Sequence, residues 1–257
     1  MSIIAIASML VTQAPIVILY QPKIGSSYKM STSMAQTSQM GNSSTSMMTT
    51  SKVLGFENGF YKIQNTVSNF KMTGGMGGGD AAKKAAEKAT IVYMDKHFKP
   101  KLEGGSNAAM NQMMSGMSSA LSGVTFPSKP VKVGDTWTNT IDMGALMGAA
   151  TKGQKGAEGM KSSGKINITY KLAKVDSSAV SINMTISGTV NMTMAGGAGA
   201  PGGAQGMKMS MTMTGGGTSS MERNTGAPLS SNTKMNMQMN FSGQPMNMTQ
   251  TITSKRV

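Results

Sequence analysis

Along the C-terminal third of the chain, apolar residues fall at every second position. Ile166, Ile168, Tyr170 and Leu172 form one such set, and Ile182, Met184 and Ile186, followed by Val190, Met192 and Met194, form the next. The pattern resumes as Met207, Met209, Met211 and Met213, then as Met235, Met237, Met239 and Phe241, and closes with Met246, Met248 and Ile252. Lys, Ser, Thr, Asn or Gln mostly fill the positions between. A period of two sends successive side chains to opposite faces of an extended chain, so each set predicts a strand with one apolar and one wet face. Such one-sided strands belong to an antiparallel sheet, because buried parallel strands are apolar on both faces.

The N-terminal half carries the same signal more faintly. Tyr28, Met30, Thr32 and Met34 alternate; a second strand is predicted over roughly 44–56 and a third over 60–72, with Glu57-Asn58-Gly59 as the hairpin turn between them. A strand over 89–94 is expected to turn at Asp95-Lys96-His97 and return through Phe98 to Leu102, and another to end near Asp142. Two stretches read at the helical period. Met110, Met113, Met114, Met117 and Leu121 make a stripe behind Ser106 and Asn107, which predicts a helix over 106–121. Residues 80–88 suit one or two helical turns capped by Asp80.

Glycine-rich stretches near 74–79, 143–164 and 195–206 predict loops. With no internal repeat and no second periodic block behind a linker, residues 15–257 are expected to form a single domain. Its fold class is α+β, mainly β: a strongly curved antiparallel sheet, a half-barrel or cradle, with one or two helices over the concave face. Residues 1–14, MSIIAIASMLVTQA, read as a signal peptide, with Thr12 and Ala14 at the minus-three and minus-one positions and an apolar run too short to span a bilayer. The alternative is a buried first strand.

Composition narrows the function. There are 24 basic and 10 acidic residues, one histidine and no cysteine. Only Arg223 and Arg256 are arginines, and a lysine-rich surface lacks the planar forks that read bases, so a nucleic-acid partner is not expected. The plain reading of the lysines is solvation of loops, with attraction to an anionic membrane surface or envelope polymer as the alternative. A surface of uncharged Ser, Thr, Asn and Gln fits export to the periplasm or cell envelope of a bacterium.

Catalysis has little to draw on. His97 is the sole imidazole, and the carboxylates recur at no telling spacing, so neither enzymatic activity nor a cofactor is expected. Gly159-Met160-Lys161-Ser162-Ser163-Gly164-Lys165 comes close to a phosphate-binding loop, but Ile166 stands where the magnesium-binding hydroxyl belongs and a strand follows where a helix is needed. Asp135 reads as the shaper of the Gly134-Asp135 turn, and Trp137 as a core anchor.

Methionine is the unusual feature, at 30 of 257 residues. Three readings stand. Thioethers fill irregular cores well, and the alternating sets are what a core face looks like. The same soft face could line a site for a hydrophobic ligand such as a lipid, with Met184, Met192, Met207, Met209, Met211, Met235, Met237, Met239, Met246 and Met248 as its lining. Met-x-Met spacing also suits Cu(I) or Ag(I), with Met207, Met209, Met211 and Met213 along one strand.

Two segments carry a family resemblance. Leu19-Tyr20-Gln21-Pro22-Lys23-Ile24-Gly25 through Tyr28, and Phe126-Pro127-Ser128-Lys129-Pro130-Val131-Lys132-Val133-Gly134-Asp135-Thr136-Trp137, resemble an uncharacterised bacterial envelope family with an early Gly-x-x-Tyr strand entry and a mid-chain Gly-Asp-x-Trp motif. The resemblance implies export and no particular activity. At the level of fold, such sheets look similar to half-barrel lipoprotein carriers of the LolA type, which hold acyl chains beneath a helical lid.

Overall fold

A computed structural model of the chain describes residues 14–39, 41–74, 87–101, 124–145, 160–194, 207–241 and 244–257. Ten strands account for most of them: β1 (Ser27–Ser38), β2 (Gly41–Glu57), β3 (Phe60–Thr73), β4 (Thr90–Asp95), β5 (Thr136–Asp142), β6 (Met160–Val175), β7 (Ala179–Met194), β8 (Met207–Glu222), β9 (Pro228–Phe241) and β10 (Gln244–Arg256). They form one sheet in the order β4-β3-β2-β1-β10-β9-β8-β7-β6-β5, antiparallel at every pairing. Two meanders, β1–β4 and β5–β10, are thus joined by the pairing of the first strand with the last.

The alternating sets place the strands well. Burial along β6 switches at every residue, with Ile166, Ile168, Tyr170 and Leu172 fully buried and Lys165, Asn167, Thr169 and Lys171 exposed. The β2–β3 turn is the expected hairpin, with Asn58 and Gly59 both at positive φ (51° and 83°). Two strands run further than their apolar sets. β6 begins at Met160, so Met160 to Gly164 pair with Met194 to Val190 where a loop over 143–164 was expected. β8 continues past Met213 through Gly215, Gly216 and Gly217 to Glu222. Glycine has no side chain to mark a face, which hid that continuation. The helix expected over 106–121 lies outside the described residues, as does most of the one expected at 80–88. Among the described residues, helix amounts to a single turn at 143–145, where Asp142 Oδ1 accepts from the Ala145 N–H at 2.9 Å.

The sheet is open yet strongly curved. No ladder joins β4 to β5 among the described residues, but two adjacent residues touch both edges. Phe126 N–H donates to the His97 carbonyl in the turn after β4 (2.8 Å), and the Thr125 carbonyl accepts from Trp137 Nε1 of β5 (2.7 Å). In a flat sheet, the nine steps between those edges would span roughly 43 Å at ~4.8 Å per step. Two residues cannot bridge that distance, so the sheet curls until its edges nearly meet. A second strap does the same. Tyr20 N–H donates to the Lys96 carbonyl and Gln21 N–H to the Thr225 carbonyl in the β8–β9 turn, both at 2.8 Å, while Ile16 pairs with Val131.

Inward-facing glycines permit the bend. A Cβ on Gly188 would lie 2.5 Å from the Lys165 carbonyl oxygen, and one on Gly215 would lie 2.4 Å from that of Lys234. The backbones of β6 to β9 therefore approach more closely than side chains would allow, as at the corners of barrels.

The straps plug one end of the cradle. Ile18, Tyr20, Val124 and Phe126 are buried there against Val53, Tyr170, Leu172 and Ile182. Tyr20 meets Tyr61 and Phe98 edge-on, at ring separations of 5.4 and 4.8 Å, and Trp137 stacks on Tyr170 at 5.6 Å. The Gly-Asp-x-Trp segment makes this corner. Gly134 at φ 97° donates to the Leu172 carbonyl, and Asp135 Oδ2 accepts from Lys132 N–H at 3.0 Å, so Asp135 shapes the turn and Trp137 anchors the core as their sequence context suggests.

Candidate functional site

The register decides which methionines are neighbours. Across the end of the sheet opposite the straps, Met211 of β8 lies opposite Met239 of β9, which lies opposite Met246 of β10. Two residues along, Met213, Met237 and Met248 make a parallel row on the same three strands. Met192 of β7 faces Met209 of β8, and Met207 pairs with Met194. All except Met194 and Met207, whose side chains lie outside the described set, sit on the concave face by the burial alternation of their strands.

These residues do not share one environment. Met184, Met213 and Met235 are 1–3 % exposed and belong to the core. Met192, Met211 and Met237 are half-buried and pack against its edge. Met209, Met239, Met246 and Met248 are also half-buried, but they are not among the residues packed on that core. Nine of the ten expected lining methionines thus divide between a buried base, including Met184 and Met235, and a more accessible floor at the end opposite the straps; the side chain of Met207 lies outside the described residues. On the convex side of the same strands, Lys208, Gln238, Asn240 and Pro245 line a cleft of about 730 Å³ that Met192 and Met209 border.

Beside the floor, along β1 and the rest of β10, the concave face turns polar. Gln36 of β1 faces Gln250 of β10, Thr32 Oγ1 lies 3.0 Å from Ser254 Oγ, and Gln250 Nε2 donates to the Met34 sulfur at 3.0 Å. Hydroxyls and amides therefore meet thioethers inside the cradle. The alternation of Tyr28, Met30, Thr32 and Met34 carries on into this strip, but an apolar-only reading of period two stops short of Gln36 and Ser38.

Charge is placed elsewhere. Lys29, Lys52, Lys165, Lys171, Lys234 and Lys255 are exposed on the convex face. The acids that fall within strands, Glu57, Asp95, Asp142 and Glu222, are each the last residue of their strand. The convex face is consequently cationic without interleaved carboxylates. A shallow groove of about 780 Å³ crosses it beside Ser163, Gly164 and Lys165. That end of the phosphate-loop-like segment lies inside β6, so it presents no helix N-terminus to an anion.

One charged cluster closes the strapped end. Arg256 Nη1 donates to Glu222 Oε1, its Nε donates to the Pro228 carbonyl at 2.9 Å, and the guanidinium lies 5.3 Å from the Tyr28 ring centre. The Thr225 hydroxyl and then Arg256 hold the Glu222 carboxyl below its usual 4.5, against the opposing effect of desolvation. A carboxyl depressed in the folded state stabilises above its unfolded pKa, and that contribution disappears as pH falls through the folded value. Thermal unfolding should thus fall off below about pH 4.5 in the native protein and more gently in Glu222→Gln. Identical acid limbs for the two would remove Glu222 from the fold's pH dependence.

His97 is half-buried rather than solvated. Its backbone N–H is held by Asp95 Oδ1 at 2.8 Å, and its Nδ1 is buried with no partner among the described residues. No hydrogen bond among the described residues sets a serine hydroxyl against its ring. Among the described residues, no group of three or more His, Cys, Asp or Glu could hold a metal ion.

No family model matches the sequence, and no curated protein is significantly similar to it.

Proposed function

We propose that the protein is a non-enzymatic binder or carrier of an apolar or amphiphilic ligand, such as a lipid, in the bacterial cell envelope. The observation that carries this reading is the floor of Met209, Met239, Met246 and Met248: apolar, half-accessible and unclaimed by the core. Methionine suits a site that must follow an irregular chain, because its thioether is polarisable and its three torsions adapt. The Gln/Ser/Thr strip beside it on β10 and β1 offers hydrogen bonds to a headgroup or ester without burying a charge.

The lysine-covered convex side would hold the protein against an anionic membrane surface.

Two measurements test the binding. The affinity for fluorescent fatty acids should rise about fourfold per added methylene, the equivalent of ~0.8 kcal/mol of apolar burial. Met239→Lys, which sets a charge on the floor, should abolish it while far-ultraviolet circular dichroism stays unchanged. If native mass spectrometry finds no co-purified lipid and no fatty acid binds, the carrier reading fails.

A further inference from the structure

We propose that the row Met211–Met239–Met246 is a thioether site for a soft monovalent cation, Cu(I) or Ag(I), backed by Met213, Met237 and Met248. It occupies part of the methionine floor but stands independently of the carrier reading.

Spacing selects the ligands. Taking roughly 2.3 Å for a metal–sulfur bond, three sulfurs around one ion stand about 4 Å from each other. Met-x-Met neighbours on one strand are separated by about 6.8 Å, further than residues paired across strands. Residues directly opposite on adjacent antiparallel strands have Cβ atoms about 4.5–5.5 Å apart; the outer two of the row, Met211 and Met246, stand two strand spacings apart, about 10 Å, and their three-torsion side chains must lean over the central Met239 to close the set. The ligand set therefore runs across strands. The fold supplies it twice in succession, because Met211 and Met246 both lie opposite Met239, and Met213 and Met248 both lie opposite Met237.

Accessibility graded along the strands supports the assignment. On β8 the inner Met213 is 2 % exposed and the outer Met211 half-buried, and on β9 the inner Met237 packs on the core where the outer Met239, among the described residues, does not; on β10, Met246 and Met248 are both half-buried. An ion would enter at the outer row and find a second, drier row behind it. Among the described residues, the outermost thioethers Met239 and Met246 are not packed on the core. A soft-ion site needs them reachable.

The chemistry also selects the ion. Thioethers are soft and neutral, so they favour Cu(I) and Ag(I) over magnesium, calcium or zinc. No carboxylate or imidazole group that would attract harder cations is assembled among the described residues. Thioethers carry no proton to lose, so binding should not vary with pH between about 5 and 8, where a histidine or thiolate site loses affinity as its ligands protonate.

The test is an anaerobic titration of the full chain with Ag(I), and with Cu(I) under reducing conditions against a competing Cu(I) chelator. Methionine methyl resonances are followed in carbon-13-labelled protein. The expected result is pH-independent tight binding that first shifts the methyls of Met211, Met239 and Met246. The triple variant Met211→Leu/Met239→Leu/Met246→Leu, close to volume-conserving and hence tolerated, should lose that binding. A control triple, Met30→Leu/Met47→Leu/Met143→Leu, should keep it. Because leucine preserves an apolar floor, the first triple should still bind a fluorescent fatty acid, so failure of the metal site and failure of the carrier reading are told apart. Retention of tight Ag(I) binding by the first triple, or affinity in the native chain no better than that of free methionine, overturns the proposal.

Discussion

Tyr20→Ala is expected to lower the unfolding free energy by about 4 kcal/mol, in the range measured for removing a fully buried aromatic ring. The side chain is 0 % exposed and sits edge-on to both Tyr61 and Phe98. More than a cavity is at stake. The backbone of Tyr20 and Gln21 ties the turn after β4 to the β8–β9 turn, so loosening this ring loosens the strap that holds the sheet in its curl. A domain is stable by only about 5–15 kcal/mol, so the loss is a large share of the total. Val17, three residues away and 60 % exposed, provides the contrast: Val17→Ala should change stability by no more than about 0.5 kcal/mol. Urea unfolding of both variants decides the matter. A Tyr20→Ala midpoint close to that of Val17→Ala would mean that the strap does not hold the edges.

Gly215→Val should destabilise by about 3 kcal/mol, although local preference points the other way. Valine is a better strand residue than glycine, by up to ~1 kcal/mol on host scales. In this sheet, however, a Cβ at position 215 would lie 2.4 Å from the Lys234 carbonyl oxygen and 2.9 Å from the Met235 Cα. Both are backbone atoms, which cannot turn aside as a side chain can. The strands would have to part, flattening the curve between β8 and β9 where the methionine rows lie. At Gly55 of β2, nothing lies within 4 Å of the place a Cβ would take, so Gly55→Val should be neutral or mildly stabilising. Opposite signs for the two substitutions in thermal unfolding are the expected outcome; a stabilised Gly215→Val would show that curvature does not depend on the glycine row.

Much of the strand content was legible because alternation is local. Ile166 to Leu172 declare a buried face without reference to any partner, and Asn58-Gly59 declares its hairpin through backbone conformations that few other residue pairs adopt. What escaped has physical causes. Gly215 to Gly217 carry no side chain to show a face, so β8 looked shorter than it is. Arg256, which closes the strapped end with Glu222, stands 34 positions from its partner and in an otherwise ordinary strand end. Gln36 and Gln250 line the concavity as polar residues, invisible to a reading that treats inward as apolar.

The sequence by itself determined that this is a one-sided antiparallel β protein and that methionine sits on its inner side, since both follow from a period of two and from residue chemistry. Only the tertiary structure decided which methionines meet. Met211 stands beside Met239, with Met246 on the strand beyond, because strand order and register are long-range properties fixed by turn lengths, glycine close contacts and the β1–β10 pairing. The same pairing and the two straps decided the curvature, which separates a buried methionine base from an accessible floor on strands that read alike.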